Sequence, residues 1–436
     1  MLKARAQELE NIVGSDSGIC EWDNLDALWQ QRIASAHAPG KMPSAIVYPQ
    51  TQEQLTQVMT CAHRNSWGVL PCGSGSKLSW GGLVESVNLV ISTSRLNRLI
   101  EHAVGDLTVT VEAGMKFAEL QHILDAANQF IALDPAYPES ATIGGIIATA
   151  DSGSWRQRYG GVRDMLLGLS FVRADGEIAK AGGRVVKNVA GYDLMKLFTG
   201  SYGTLGIISQ VTLRVYPMPD ASATVVLTGA ADIIATATKT LLASALTPTA
   251  VDLISTQLAR KLGSGEGMGL IVRFQSIAQS VKQQSERILE VGQQLGLQGA
   301  IYADADETQL WEKLRELLWA QAPLPAISCK MGILPSFAVE ILTQMDTLTS
   351  QNGMGLIHAG SGLGLLRFDD EQIIQQMRQI CQTSGGFLSI LEAPVTLKQQ
   401  LDVWGYTGNA LDLMRRIKKQ FDPQNLLSPH RFVGGI

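Results

Sequence analysis

Between residues 71 and 217 the chain gathers its glycines into three blocks, and any fold must use them where the backbone turns sharply or something approaches it closely. The first block, PCGSGSKLSWGG at 71–82, carries four glycines with serines and one lysine, between a strand and further strands. Glycines allow successive N–H groups to turn inward around an anion, and hydroxyls or an ammonium add donors, so this loop can cradle a phosphate. Lys77 supplies its only charge. It fits neither established phosphate motif: the third Gly of G-x-G-x-x-G is missing after Gly73 and Gly75, and no G-K-[S/T] ending follows. By itself the loop reads equally well as an ordinary tight turn.

At 436 residues the chain exceeds what one hydrophobic core serves, and two domains are expected. The glycine-dense half closes at YPMPDAS, residues 216–222, where two prolines mark the boundary. With 45% hydrophobic and 17% charged residues the composition is globular, and a net charge of −5 leaves no positive field for a polyanion, so nucleic acid is not an expected partner. Five widely spaced cysteines with no C-x-x-C suit a reducing cytoplasm and supply neither a disulfide framework nor an iron–sulfur site. The opening MLKARAQELENIVGS lacks the features of a signal peptide, and no apolar run reaches the roughly 20 residues of a membrane helix.

Residues 1–42 read as a helical lead-in. SAIVY (44–48) then forms a strand, and Thr51 caps a helix whose Leu55, Val58, Met59 and Ala62 share a face. In LTVTVEAG (107–114), Leu107, Val109 and Val111 alternate with threonines as in a half-buried strand, and a helix follows with Phe117, Leu120, Ile123, Leu124 and Ala127 inward. Strands are expected again at 167–173 and 205–215. Beyond the boundary, strands at 223–228, 248–254 and 269–274 interleave with helices at 230–245, 280–296 and 306–320, an α+β pattern. A last helix near 408–421 turns Leu411, Met414, Ile417 and Phe421 inward and leaves Arg415, Arg416, Lys418 and Lys419 as a solvated face.

The second and third blocks make the reading specific. In 134–178, Ser140, Ile143, Gly144 and Gly145 are followed by Tyr159, Gly160, Arg163, Asp164, Leu167, Gly168, Ala174, Asp175 and Gly176. This succession resembles the S-x-x-I-G-G, R-Y-G, R-D, L-G and A-D-G elements of the vanillyl-alcohol-oxidase, or PCMH-type, FAD-binding flavoproteins. In 182–217, Gly191, Tyr192, Asp193 and Leu194, then Gly200, Ser201, Gly203, Thr204, Leu205, Gly206 and Ile207, resemble the same family's T-G-Y-D-L and G-S-E-G-T-L-G-I-I signatures. KNVAGYDL, with FDP and Pro429 near the C-terminus, is similar to the smaller flavin subunits of glycolate-oxidising complexes.

The resemblance implies an α+β fold. A PCMH-type FAD domain of two α+β subdomains spans 43–217, a ferredoxin-like α+β cap 218–404, and a tail, 405–436, returns to the FAD domain. It implies FAD held by Cys72, Gly73, Ser74, Gly75, Ser76 and Lys77, by Ala141, Thr142, Gly144, Gly145, Ala148, Ser152, Gly153 and Tyr159, and by Gly206 and Ile207. Ser76 stands where covalent relatives carry a His, so the FAD is expected to be non-covalent; Cys72 reads as a packed thiol rather than a tether. Trp80 and Trp155 could pack on the cofactor or elsewhere. In the A-T-N-A-G-G element Ala150 and Ser152 replace the asparagine and first glycine, and Tyr202 replaces the glutamate of G-S-E-G.

Related hydroxy-acid dehydrogenases carry H-A-G-D-G-N and a second His in the cap. HAGSGLGLL here keeps His358 but has Ser361, Leu363 and Leu365 in place of the Asp, Asn and second His. One histidine cannot hold a metal, so none is expected, and His358 reads either as a structural histidine or as the catalytic base. His37, His63, His102 and His122 fall in unrelated segments, and a G-x-S-x-G elbow is absent, which excludes that serine-hydrolase pattern. The expected activity is oxidation of a 2-hydroxy acid, glycolate by resemblance. The expected partners are a larger flavoprotein subunit and an iron–sulfur subunit, in the cytoplasm and peripheral to the inner membrane face through that complex. The alternatives are a non-catalytic electron-relay subunit and a stand-alone dehydrogenase for another hydroxy acid such as D-lactate.

Overall fold

The computed structural model of the chain describes residues 2–14, 18–184, 191–319 and 327–436. They fall into two compact units: Met1–Ser152, Gly161–Pro217 and Lys398–Ile436 form unit 1, and Gly153–Gly160 and Met218–Leu397 form unit 2.

Unit 1 holds β1 (Ile19–Glu21), β2 (Ala45–Val47), β3 (Gly68–Cys72), β4 (Val87–Ser92), β5 (Leu99–Ala103) and β6 (Thr108–Glu112). It continues with β7 (Gln129–Phe130), β8 (Leu166–Val172), β9 (Ile178–Gly182), β10 (Ile207–Arg214) and β11 (Tyr216–Pro217). One sheet runs β1-β2-β4-β3, with β4 parallel to both β2 and β3. Against it lies the helix Gln52–Arg64. Thr51 Oγ1 accepts the Gln54 N–H at 3.2 Å, and Leu55, Val58, Met59 and Ala62 are fully buried in one core with Val47, Val69 and Ile91. Burying each of the larger aliphatic side chains contributes roughly 1.5–3 kcal/mol.

The lead-in is not helical throughout. Helices Leu2–Val13 and Ala27–Ala36 flank β1, which pairs antiparallel with β2 through Ile19 opposite Val47 and Cys20 opposite Ile46. Three residues are too short for a period-2 pattern to stand out, and the partner strand supplies the reason for extension.

The second sheet of unit 1 is antiparallel, β5-β6-β10-β8-β9. The threonines of β6 are buried instead of facing water, and Thr110 Oγ1 meets Thr212 Oγ1 at 3.0 Å on β10. A cross-strand hydroxyl partner removes the penalty that burial would otherwise impose. In the helix Phe117–Asp125, Phe117, Leu120 and Leu124 are buried.

The helix Leu411–Phe421 departs from the amphipathic expectation: Leu411, Met414, Ile417 and Phe421 are only half-buried, and its one buried residue is a lysine. Lys418 is buried, and its Nζ donates to Asp422 Oδ2 at 2.7 Å and to the carbonyls of Thr204 at 2.9 Å and Leu427 at 2.8 Å. Burial pushes its pKa down, and Asp422 opposes that shift. Lys418 therefore ties the C-terminal segment to the glycine-rich turn at 200–206, while Arg415, Arg416 and Lys419 stay exposed.

Unit 2 contributes β12 (Ala221–Gly229), β13 (Ala250–Ile254), β14 (Met268–Ser276), β15 (Gln298–Ala303), β16 (Ile327–Gly332), β17 (Met354–His358), β18 (Leu363–Phe368) and β19 (Phe387–Glu392). They form one sheet in the order β15-β12-β14-β13-β17-β18-β16-β19, every neighbouring pair antiparallel. Helices Ala231–Leu242, Ala278–Gln294 and Asp304–Trp319 occur where the apolar spacing placed them. Among the described residues no helix is long and apolar enough to cross a membrane.

Candidate FAD-binding site

At the C-terminal end of β3 the chain enters the loop 73–77, and the backbone there is unusual. Among the described residues, none of the main-chain N–H groups from Gly73 to Lys77 donates to another backbone group; the next bond is Leu78 N–H to the Gly75 carbonyl at 3.3 Å. Gly75 sits at φ +78, where an added Cβ would meet Trp29 at 2.9 Å. A run of unpaired donors turned by a left-handed glycine is an anion nest. The side chains brace the loop from outside: Ser74 Oγ donates to the Ser140 carbonyl, Arg32 Nη1 donates to the Ser74 carbonyl at 2.9 Å, and Ser92 Oγ donates to the Gly73 carbonyl at 2.8 Å.

This loop forms one wall of a cleft built entirely from unit 1. The opposite wall is the short helix Ile143–Thr149, entered from Thr142, whose Oγ1 accepts the Gly145 N–H at 3.3 Å. Its two glycines face different ways. A Cβ on Gly144 would strike Ala113 at 2.8 Å, and its N–H is bonded to the Ala113 carbonyl at 2.7 Å, so Gly144 lets the helix pack. A Cβ on Gly145 would meet only Thr142 Oγ1, at 3.2 Å, so Gly145 leaves space for a ligand to reach the backbone. The turn 201–203 and the start of β10 complete the lining with Ser201, Tyr202, Gly206, Ile207 and Ile208. Tyr202 is held left-handed at φ 54 and packs edge-on to Trp404 at 4.9 Å.

The cleft thus gathers Cys72, Gly73, Ser74, Gly75, Ser76, Lys77, Thr142, Gly144, Gly145, Ala148, Gly206 and Ile207. Four expected residues do not line it. Ala141 is buried, its carbonyl accepting the Phe117 N–H at 2.9 Å, and neither it nor Ser152 is among the lining residues. Gly153 and Tyr159 belong to unit 2. The two tryptophans pack on protein: Trp80 lies 6.4 Å from Tyr137, and Trp155 lies under the Arg273 guanidinium at 5.6 Å. Residues 187–190 of KNVAGYDL lie outside the described residues.

Lys77 differs from the expectation of a lone charge beside the phosphates. Its Nζ lies 2.6 Å from Asp151 Oδ2, with both side chains buried, and that oxygen also accepts the Ala136 N–H at 3.0 Å. Burial pushes the lysine pKa down and the carboxylate opposes it, so the pair presents little net charge. Asp151 could have been noticed as the acidic residue in ATADSG, a turn otherwise made of small residues. Burial pushes the Cys72 thiol up to about 12, which makes it a poor nucleophile for a covalent flavin bond. Sequence reasoning also passed over Ser201, whose buried Oγ has no hydrogen-bond partner, and Arg431, which enters the cleft from the C-terminal segment.

These residues fit FAD. The unpaired N–H groups of 73–77 suit the pyrophosphate, Gly145 permits close approach of a flat or extended ligand, and the hydroxyl of Ser201 is a free polar contact. When bound, FAD supplies a two-electron acceptor; the chain positions it and sets its electrostatic surroundings.

In unit 2, His358 on β17 lies directly opposite Asp252 on β13, and its Nδ1 is 2.6 Å from Asp252 Oδ1. Asp252 is fully buried and its Oδ2 has no partner. Among the described residues no group of three or more His, Cys, Asp or Glu is placed to hold a metal ion.

Comparison with known proteins agrees with this geometry. Residues 43–182 match the family of FAD binding domains, and residues 400–432 match the C-terminal domain of FAD linked oxidases. The chain is 26% identical to the mitochondrial D-lactate dehydrogenase [cytochrome] of Arabidopsis thaliana, over 94% of this chain and 78% of that protein. It is also 26% identical to the glycolate oxidase subunit GlcD of Bacillus subtilis, over 89% of this chain and 88% of that one. The crystal structure of p-cresol methylhydroxylase with substrate bound matches in fold with a TM-score of 0.76, at 15% identity, over 98% of this chain and 96% of that one. The chain is therefore an FAD-dependent oxidoreductase whose residues 43–182 form a PCMH-type FAD-binding domain, related to the glycolate oxidase and D-lactate dehydrogenase group of FAD-linked oxidases.

Proposed function

We propose that the chain takes part in oxidising a small 2-hydroxy acid, glycolate or D-lactate, to the 2-oxo acid, as the smaller flavin subunit of a complex. In that reaction bound FAD would supply the acceptor for the hydride of the α-carbon, while the hydroxyl gives up its proton to a base of the protein. The observation that carries the reading is that similarity to a glycolate oxidase subunit and to a D-lactate dehydrogenase each extends over about nine-tenths of the chain, beside a cleft with a nest for the pyrophosphate. Electrons pass onward to an iron–sulfur partner, and a larger flavoprotein subunit completes the assembly. His358, fixed by Asp252, is the candidate proton acceptor of unit 2.

A second reading has a specific observation in its favour. Ser361, Leu363 and Leu365 follow His358, and two aliphatic side chains offer nothing to a carboxylate or hydroxyl. On that reading the chain holds FAD and relays electrons, and a partner oxidises the acid. Anaerobic mixing of the purified holoprotein with glycolate and with D-lactate separates the two. Loss of the flavin's visible absorbance supports turnover by this chain and names the acid. Persistent colour with both acids, together with bleaching once a co-purified partner is restored, supports the relay. No bleaching under either condition defeats the hydroxy-acid proposal.

A further inference from the structure

Arg431 is a buried cation without an ion pair among the described residues. It is 4% exposed, and its Nη2 donates to the carbonyl oxygens of Leu78 at 2.7 Å and Trp80 at 3.0 Å, while Nη1 has no hydrogen-bond partner. Of the other buried cations in this region, Lys77 is matched by Asp151 and Lys418 by Asp422, while Lys398 donates to the carbonyls of Ser79 and Gly81. Burial pushes the guanidinium down to about 10, opposed by Tyr202 and Cys72, and it still carries its charge at neutral pH.

The backbone holds this residue firmly in place. Its carbonyl accepts the Gly82 N–H at 3.1 Å and the Trp404 indole N–H at 3.1 Å. Just before it in the chain, Ser428 and His430 adopt left-handed φ values of 44 and 69, a conformation that costs non-glycine residues energy. A desolvated charge with an unused donor is expensive to keep unless something else compensates it. Arg431 lines the FAD cleft, and FAD has two sources of negative charge. One is the pyrophosphate. The other is the isoalloxazine ring, which gains one negative charge when it accepts a hydride.

We infer that Arg431 is the counter-ion of bound FAD, its free Nη1–H directed to an anionic acceptor of the cofactor in place of an internal carboxylate. The two sources give different results in full-length protein carrying R431M, R431Q or R431K, with wild type alongside. FAD and ADP affinities are measured on apo-protein, and the flavin reduction potential on holoprotein. If the acceptor is the pyrophosphate, R431M and R431Q bind both FAD and ADP at least tenfold more weakly. If it is the reduced ring, ADP binding is unchanged and the potential falls by at least 29.6 mV, the equivalent of tenfold weaker binding of the reduced form in a two-electron couple. R431K, which keeps the charge, stays near wild type in the affected quantity.

R431Q retains an amide donor for the Leu78 and Trp80 carbonyls, so it reports on charge even where R431M fails to fold. The inference is overturned if R431Q matches wild type in both affinities and in potential, or if R431K loses as much as R431Q. Failure of wild type to bind FAD would instead overturn the assignment of the cleft itself.

Discussion

Lys77 and Asp151 meet at 2.6 Å inside the wall of the FAD cleft, and each is the other's compensation for losing water. Removing one partner strands a buried charge, at a cost of about 3–5 kcal/mol, whereas replacing both by apolar residues of similar volume costs far less. K77M and D151L should therefore each lower the denaturation midpoint of the apo-protein strongly, while the double variant K77M/D151L recovers most of the loss. Additive losses in the double variant would contradict a mutually dependent pair.

Gly144 and Gly145 are neighbours with opposite orientations. G144A places a Cβ against Ala113 and should cost about 1–3 kcal/mol of stability, the usual penalty of overpacking. G145A has only Thr142 Oγ1 to accommodate, and the gain of up to about 1 kcal/mol in helix propensity over glycine offsets that contact. The apo-protein of G145A should melt near the wild-type temperature yet bind FAD at least tenfold more weakly. Calorimetry on the apo forms, paired with FAD titration, checks both halves.

Because His358 Nδ1 faces the Asp252 carboxylate, the neutral imidazole carries its proton on Nδ1 and leaves Nε2 as the basic nitrogen. Nitrogen-15 correlation spectra of the side chain should report the Nδ1–H tautomer, and D252L should abolish that preference. A His358 that exchanges freely between tautomers in wild type would remove it as an oriented base. H358L leaves Asp252 buried with neither oxygen paired, so it should destabilise by about 3 kcal/mol or more.

Local signals carried much of this structure. Thr51 and the spacing of Leu55, Val58, Met59 and Ala62 specify the helix Gln52–Arg64 from within their own segment, and that helix forms as expected. The glycine loop at 71–82 and the Ile143-Gly144-Gly145 turn were equally visible, because a phosphate cradle needs residue types that stand out in sequence. What stayed hidden depends on distant partners. Lys418 looks like part of a solvated basic face until Asp422 and two carbonyls surround it. Lys77 looks like a free cation until Asp151 arrives from beyond the next several strands, and Arg431 reaches the cleft from the far end of the chain. The threonines of β6 alternate as a half-buried strand should, yet sheet neighbours on both edges and packing on both faces bury them.

The central claim is that the cleft at 72–77, 142–148 and 201–208 holds FAD, and direct titration of the apo-protein tests it. Wild type should bind FAD with one site per chain, become yellow and gain about 2.7 kcal/mol of stability at a free concentration one hundred times Kd. G75D, which puts a carboxylate and an unfavourable backbone conformation into the nest, should abolish that binding. A colourless wild-type protein that takes up no FAD, or a G75D variant that binds it as tightly as wild type, would contradict the assignment.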